Sequence, residues 1–164
     1  MANLPNEGKY VIGRADFRSS NLLEIEALLE FSEGFAKDVV FFAMFENGQR
    51  SQAIRMMMRC NDLRNICEGA RELLSSKDGE TDFEKFTKSG EVGNKLFFGS
   101  DTKKERRVYY LNIQKGGDRY LSASFDRYSL RTFIKRCELL AERLETALYD
   151  AQKLQSYISN TRKG

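Results

Sequence analysis

The stretch Val40–Gly48, VFFAMFENG, decides the fold of this chain, because a related stretch, VYYLNIQKG, recurs at Val108–Gly116. Valine opens both stretches, aromatic residues follow at the same places, and a glycine closes both. Runs of β-branched and aromatic residues that end at a glycine turn are typical of the first strand of a β-hairpin. The two stretches are therefore predicted to be equivalent strands of a repeated unit.

After the two glycines, the apolar positions of the two copies stay aligned if one copy is shifted by one residue relative to the other. The slipped alignment runs through a returning strand and an amphipathic helix, so the repeated unit is a hairpin followed by a helix. A repeat of this length is too long for a solenoid and suits two small modules that share one core. The aligned pairs are Ile54 with Leu121, Met56 with Ala123, Met58 with Phe125, Leu63 with Leu130, Ile66 with Phe133 and Leu73 with Leu140.

Further strand patterns precede each hairpin, which predicts the order β-β-β-β-α in each half. Leu22–Phe31 alternates like a strand, although Ser20 and Asn21 before Glu24 also resemble a helix start; the strand is favoured. The other predicted elements are strands at Lys9–Phe17, Asp38–Glu46, Arg50–Arg59, Phe83–Thr87, Lys95–Phe98, Arg107–Gln114 and Arg119–Phe125, a helix capped by Asn61 or Asp62 that runs to about Leu74, a linker at Ser75–Glu80 and a polar loop at Ser100–Arg106.

The last helix is predicted to begin with Ser129 as its cap and to be the longest element of the chain. Its apolar stripe covers about seven to eight turns, which is more than one small sheet can cover. Its far end is therefore expected to pack on the other helix or on a second chain. The residues of the stripe are Leu130, Ile134, Cys137, Ala141, Leu144, Leu148 and Ala151.

These patterns predict an α+β protein of two β-β-β-β-α repeats, in which curved antiparallel sheets carry the helices on one face. Residues 1–78 form the first repeat, and residues 79–164 form the second repeat with the long C-terminal helix. Because each half is too short to be well stabilised alone, the two are expected to form one pseudo-symmetric unit.

Composition favours a cytoplasmic binding protein over an enzyme. The chain has no histidine and no nucleotide-binding glycine motif, and its three cysteines lack metal-ligand spacing, so no cofactor and no metal are expected and the cysteines are predicted to be reduced. No signal peptide and no membrane-spanning run is recognised. Residues 1–82 carry 10 Lys and Arg against 14 Asp and Glu, whereas residues 83–164 carry 17 against 10. A basic second half suggests a polyanionic partner.

Strand alternation separates two faces of the predicted sheets. One face is uniformly apolar and is expected to lie under the helices: Phe41, Ala43, Phe45, Ile54, Met56, Met58, Tyr109, Leu111, Ile113, Leu121, Ala123 and Phe125. The opposite face mixes aromatic, methionine, arginine and small polar residues: Phe42, Met44, Glu46, Ala53, Arg55, Met57, Arg59, Tyr110, Asn112, Gln114, Tyr120, Ser122 and Ser124. Another layer of the chain, a dimer contact, or a platform on which unpaired bases stack would each account for this second face.

The strand-turn-strand-helix pattern resembles the single-stranded nucleic-acid-binding family of positive cofactor four, Whirly and Pur-alpha proteins. Arg107–Ile113, the Gly116-Gly117-Asp118 turn and Arg119–Leu121 carry the resemblance, which continues through Ser124–Asp126 into the helix, and Val40–Asp62 looks like a second copy. No lysine-glycine-lysine motif of the Whirly kind is present. The resemblance implies binding of single strands along concave sheet faces with little sequence preference, and dimer formation through the helices.

The predicted function is therefore binding of single-stranded DNA or RNA by a homodimer, with a protein-interaction or assembly module as the alternative. Stacking on aromatic side chains and neutralisation of phosphates by basic ones are the expected forces. The predicted nucleic-acid-binding residues are Phe42, Met44, Arg55, Met57, Arg59, Arg106, Arg107, Tyr110, Asn112, Lys115, Arg119 and Tyr120. Lys9, Arg14 and Lys95 are expected at sheet edges, with Lys103, Lys104 and Arg106 as a flexible clamp.

Overall fold

A computed structural model describes residues 8–47, 49–75, 83–87, 95–103, 105–115 and 119–162. Within these residues the order of elements is β-β-β-β-α twice, as predicted, and Leu22–Phe31 belongs to a strand. That the two units are copies of one repeat stays a prediction. The elements are β1 Gly8–Arg18, β2 Leu22–Ser32, β3 Phe35–Glu46, β4 Gln49–Met58, α1 Cys60–Ser75, β5 Phe83–Thr87, β6 Lys95–Lys103, β7 Arg106–Lys115, β8 Arg119–Phe125 and α2 Arg127–Arg162.

Each unit contributes one antiparallel sheet whose strands follow each other in chain order, β1-β2-β3-β4 and β5-β6-β7-β8. Short turns make this possible: Glu33, Asn47 and Glu105 all have positive φ, the backbone shape that tight hairpin turns require. The prediction of a polar loop over Ser100–Arg106 is wrong, because Ser100–Lys103 continue β6 and pair with β7. A flexible clamp is thereby excluded for Lys103 and Arg106, which pair directly as strand residues; Lys104 lies outside the described residues.

In the second sheet, the faces are the ones that the alternation predicts. Tyr109, Leu111 and Ile113 of β7 are buried, as are the alternate positions Leu121, Ala123 and Phe125 of β8. Leu96 and Phe98 of β6 extend this buried layer. The opposite side of each sheet, which faces away from the helices, is called its outer face below.

In the first sheet, the predicted face of β3 is wrong. Phe42 and Met44 are fully buried in the core under the helices, whereas Phe41, Ala43 and the buried Phe45 lie on the outer face. A hairpin paired without interruption from its Asn47 turn would set Phe42 opposite Ala53. An irregularity between Met44 and Glu46 instead sets Phe42 opposite Met56. A shift of register by an odd number of residues exchanges the two faces of a strand.

The helix α1 begins at Cys60, two to three residues before the start that a cap at Asn61 or Asp62 predicts. Of these two residues, Asp62 takes part in the cap, together with Asp38. The carboxylate of Asp62 accepts the backbone N–H of Arg59 at 2.9 Å. Asp38, from the distant strand β3, accepts the N–H of Cys60 at 2.7 Å. Both bonds satisfy donors that the first turn of a helix leaves unpaired.

The helix α2 is 36 residues long, and its cap is Asp126 rather than Ser129. The carboxylate of Asp126 accepts the N–H of Ser129 at 2.7 Å, and the hydroxyl of Ser129 accepts the N–H of Asp126 at 2.9 Å. The predicted apolar stripe is buried from Leu130 to Leu144 and half-buried beyond.

The far end of α2 packs on the first sheet, in addition to its contacts with α1. Gly13 of β1 lets α2 approach so closely that a Cβ atom there would lie 2.8 Å from Leu140 Cδ2. Near its C-terminal end, Gln155 bonds the backbone of Gly34 and of Ala36 at the β2–β3 turn. Because α2 starts on the second sheet and ends on the first, both units share one continuous core.

The three cysteines are buried and unbridged, as predicted. Burial raises the pKa of the Cys60 thiol to about 12, and the neighbouring carboxylate of Glu145 acts in the same direction. Among the described residues, no helix is both long enough and apolar enough to cross a membrane.

Candidate nucleic-acid interface

The outer face of the second sheet carries an open groove, called the stacking groove below. Its volume is about 520 Å³. Tyr120 stands at its side with 65% of its surface exposed. The lining residues come from three neighbouring strands: Phe97, Asp101, Val108, Tyr110, Asn112, Tyr120, Ser122 and Ser124.

The register of the strands fixes this arrangement. Tyr110 pairs with Gly99 on one side and with Ser124 on the other, and Asn112 pairs with Phe97 and Ser122. Cross-strand partners of an antiparallel sheet project on the same side. One aromatic residue from each of β6, β7 and β8 therefore faces the groove.

Gly99 makes room for the ring of Tyr110. A Cβ atom at position 99 would lie 2.4 to 2.6 Å from three atoms of that ring. The tyrosine therefore lies across the sheet over the glycine, half-buried, and forms part of the groove wall.

We expect the substitution Gly99→Ala to lower the free energy of unfolding by about 1–3 kcal/mol, because the added methyl group overpacks the site. The same substitution in a Tyr110→Ala background should cost clearly less, since the ring is then absent. Chemical denaturation of the two single variants and the double variant measures the coupling. Equal costs in both backgrounds would show that Tyr110 does not occupy the space above Gly99.

The floor of the groove is polar. Asn112 is only 5% exposed, and its amide is hydrogen-bonded to the hydroxyl of Ser122. The edge of β8 is held by the β1–β2 turn: Asn21 donates to the carbonyl of Ser122 at 2.9 Å, and the N–H of Ser124 donates to Ser19 at 3.1 Å. The first unit thus fixes the edge strand of the groove.

Three of the predicted binding residues come together in the groove, namely Tyr110, Asn112 and Tyr120. Arg107 lies on the helix-facing side instead, where its guanidinium donates to Ser100 at 2.9 Å and lies 5.2 Å from the ring of Tyr109. Arg119 also starts on that side and reaches across to Glu46 of the first sheet at 3.2 Å. Their role in binding stays a prediction.

The predicted binding residues of the first sheet do not form a matching groove. Phe42 and Met44 are excluded from any contact with bases, because both are fully buried. Met57 is 40% exposed on the outer face, and Arg55 lies there over the ring of Phe45 at 5.9 Å. Arg59 is committed to a salt bridge with Asp38.

Carboxylates run along the outer face of the first sheet. Glu24 and Asp16 both pair with Arg14, at 2.6 Å and 2.9 Å. Glu26 shares this face with them, since it is the cross-strand partner of Arg14. Lys9 lies over the ring of Phe41 at 5.3 Å. Arg14 and Lys9 are thus already engaged, and the carboxylates would repel phosphate.

The structure adds Phe97, Val108 and Asp101 to the candidate site. The alternation of Leu96 and Phe98 with Phe97 could have indicated that Phe97 faces away from the core. Asp101 was missed because its position was predicted to be a loop, whereas it belongs to β6. Of the other predicted cations, the side chains of Lys95, Lys103 and Lys115 lie outside the described part of the structure, as does the Gly116–Asp118 turn.

Comparison with solved structures finds a chain that is similar over nearly its whole length. No protein-family model matches the chain, and no curated protein sequence matches it. The crystal structure of WHY1, a Whirly protein from Arabidopsis thaliana, is 13% identical in sequence, with a TM-score of 0.41. The similarity covers 94% of this chain and 96% of that chain. A similarity at this level supports no statement about function, so we infer the function from the residues of this chain.

Proposed function

We propose that the chain binds single-stranded nucleic acid in the stacking groove on the outer face of its second sheet, without catalysing a reaction. The observation that carries this proposal is the exposed ring of Tyr120 beside Tyr110 in an open groove. A tyrosine that is 65% exposed keeps its apolar ring in water at a cost that a stacked base would remove.

The chemistry of the groove suits unpaired bases. Each base that stacks on an aromatic side chain contributes about 1–3 kcal/mol to binding, and any of the bases can stack in this way. Tyr110, Tyr120 and Phe97 provide three rings on one face. Asn112 and Ser122 can donate and accept hydrogen bonds at the floor. Stacking of this kind favours low sequence preference and excludes duplex DNA, whose bases are already stacked.

We expect Tyr120→Ala to weaken the binding of a labelled single-stranded oligonucleotide by about 1–3 kcal/mol, which is about 5- to 150-fold in the dissociation constant. Tyr149→Ala is the matched control, because Tyr149 is 64% exposed on α2 and lines no part of the groove. Fluorescence anisotropy titrations measure both variants, and thermal melting checks that both remain folded.

The proposal also requires that duplex of the same sequence binds more weakly and that affinity falls with salt concentration, because bound phosphates release counterions. Equal losses for Tyr120→Ala and Tyr149→Ala, or preference for the duplex, would rule out the stacking groove as the site.

The alternative, a protein-interaction module, is supported by a different surface. Leu139 on α2 is 52% exposed. Leu139 lines a shallow groove of about 580 Å³ with Ile12 of β1. A second copy of the chain that packs there would form the homodimer expected from the sequence. Analytical ultracentrifugation of the wild-type chain and of Leu139→Glu tests whether this surface joins two copies, because it measures association in the absence of oligonucleotide, whereas Tyr120→Ala tests the stacking groove.

A further inference from the structure

A second concave surface, called the arginine cavity below, lies where β7 begins and α2 begins. Its volume is about 810 Å³. Arg106, Arg107 and Arg127 line it together with Asp126 and Tyr128. Three guanidinium groups against one carboxylate give this cavity a positive charge.

The carboxylate does not cancel the arginines around it. Asp126 caps α2 and stays ionised, because the N–H that it accepts from Ser129 holds its pKa below the usual range; its single negative charge still leaves the three arginines of the cavity in excess by two. Arg107 is kept in place by Ser100. Arg106 and Arg127 are exposed, and neither forms a salt bridge with any residue that the structure describes.

The arginine cavity continues the stacking groove along β7. Val108 and Arg106 lie two residues apart on the same face of that strand. Val108 lines the groove, and Arg106 lines the cavity. A nucleic-acid strand that leaves the stacking groove at Val108 would therefore reach the arginine cavity next.

The groove itself offers little to phosphates. Among the described side chains that line it, Asp101 is the one that carries a charge, and that charge is negative. Phosphates of a bound strand must therefore be neutralised beyond the ends of the groove. Guanidinium groups match phosphate oxygens with two parallel hydrogen bonds.

We propose that the arginine cavity binds phosphates of the same single strand that the stacking groove holds, so that the binding path turns around the start of β7 onto the helix side. This inference rests on the proposed function. The ring of Tyr128, 75% exposed at the mouth of the cavity, offers a stacking surface for a base beyond the groove.

The test compares short and long oligothymidylates, of about 4 and about 16 nucleotides, which bracket the site sizes of single-strand binding domains. Arg127→Gln should weaken binding of the long oligonucleotide by about three- to tenfold, the effect of losing one hydrogen bond of typical net strength at an exposed site. It should also make the slope of log K against log salt shallower by about 0.7, the value for one phosphate of a single strand. Binding of the short oligonucleotide, followed by NMR chemical-shift changes, should be unchanged.

Arg131→Gln is the matched control, because it removes the same charge one turn further along α2 from a residue that does not line the cavity. If both variants bind the long oligonucleotide with equal affinity and equal slope, the cavity takes no phosphate and the inference is wrong. The proposed function then still stands if Tyr120→Ala weakens both lengths. If neither length binds the wild-type chain, the proposed function itself fails.

Discussion

Replacing Phe42 with alanine is expected to lower the free energy of unfolding by about 3–5 kcal/mol, because it removes a ring from a close-packed core. Phe42 is fully buried between Ile25 and Met56, its partners on the neighbouring strands, in the layer beneath the helices. Urea denaturation measures the loss. Where the alanine variant does not fold, Phe42→Leu should show a smaller loss in the same direction.

Phe41→Ala is the control, because Phe41 is next in sequence but half-buried on the outer face, against Lys9. It should cost much less than Phe42→Ala. A larger loss for Phe41→Ala than for Phe42→Ala would show that Phe42 lies on the outer face. It would also restore the sequence-based hypothesis that Phe42 supports a base. The comparison therefore tests the register of β3 directly.

The two sheets show what a hairpin pattern predicts and where it fails. In β7 and β8 the pairing runs without interruption from Tyr109 to Lys115, so counting alternate residues assigns both faces correctly. In β3 and β4 the bulge beside Phe45 breaks the count, and the side chains of β3 exchange faces. Apolar residues occupy both faces of β3, so its composition contains no signal that reveals the exchange.

The positions of Arg107 and Arg119 were not predicted either. The alternation that buries Tyr109 also places Arg107 on the helix-facing side of β7. The sequence was therefore sufficient to assign Arg107 and Tyr110 to opposite faces of the sheet. The pairing of Arg119 with Glu46 was not predictable, because it joins the two sheets across 73 positions of sequence. The same holds for α2: the apolar stripe predicted the longest helix of the chain, but the 36 residues of α2 extend beyond the end of the stripe at Ala151, and its contact with Gly13 depends on how the two units are placed.

Asp38 provides the other large expected effect, because it joins β3 to the start of α1. One carboxylate oxygen accepts two hydrogen bonds from the Arg59 guanidinium, at 2.6 and 3.0 Å, and the other accepts the N–H of Cys60. Burial favours the neutral acid, but the bonds from Arg59 and Cys60 outweigh it and hold the pKa of Asp38 below its usual range. The ionised carboxylate therefore stabilises the folded state.

We expect Asp38→Asn to lower the free energy of unfolding by about 2–3 kcal/mol at neutral pH, because hydrogen bonds to a buried charged group are among the strong ones. The estimate stays below the full cost of breaking a buried ion pair, since the Arg59 side chain is 52% exposed and water solvates it once its partner is neutral. Asp16→Asn removes a carboxylate from the exposed Arg14 pair and should cost much less than Asp38→Asn, because exposed ion pairs contribute little to stability.

The pH dependence of stability separates the effect of the Asp38 charge from the effect of the shape of its side chain. Because the folded pKa is lowered, the stabilisation is present above the pKa of an unfolded aspartate, about 3.9, and is lost as the pH falls through the lower folded value. The difference in unfolding free energy between the wild-type chain and Asp38→Asn should therefore be constant near neutral pH and shrink as the pH falls below about 4. A difference that persists unchanged in acid would mean that the asparagine fails for steric reasons, and that the ionised carboxylate is not what holds β3 to the first turn of α1.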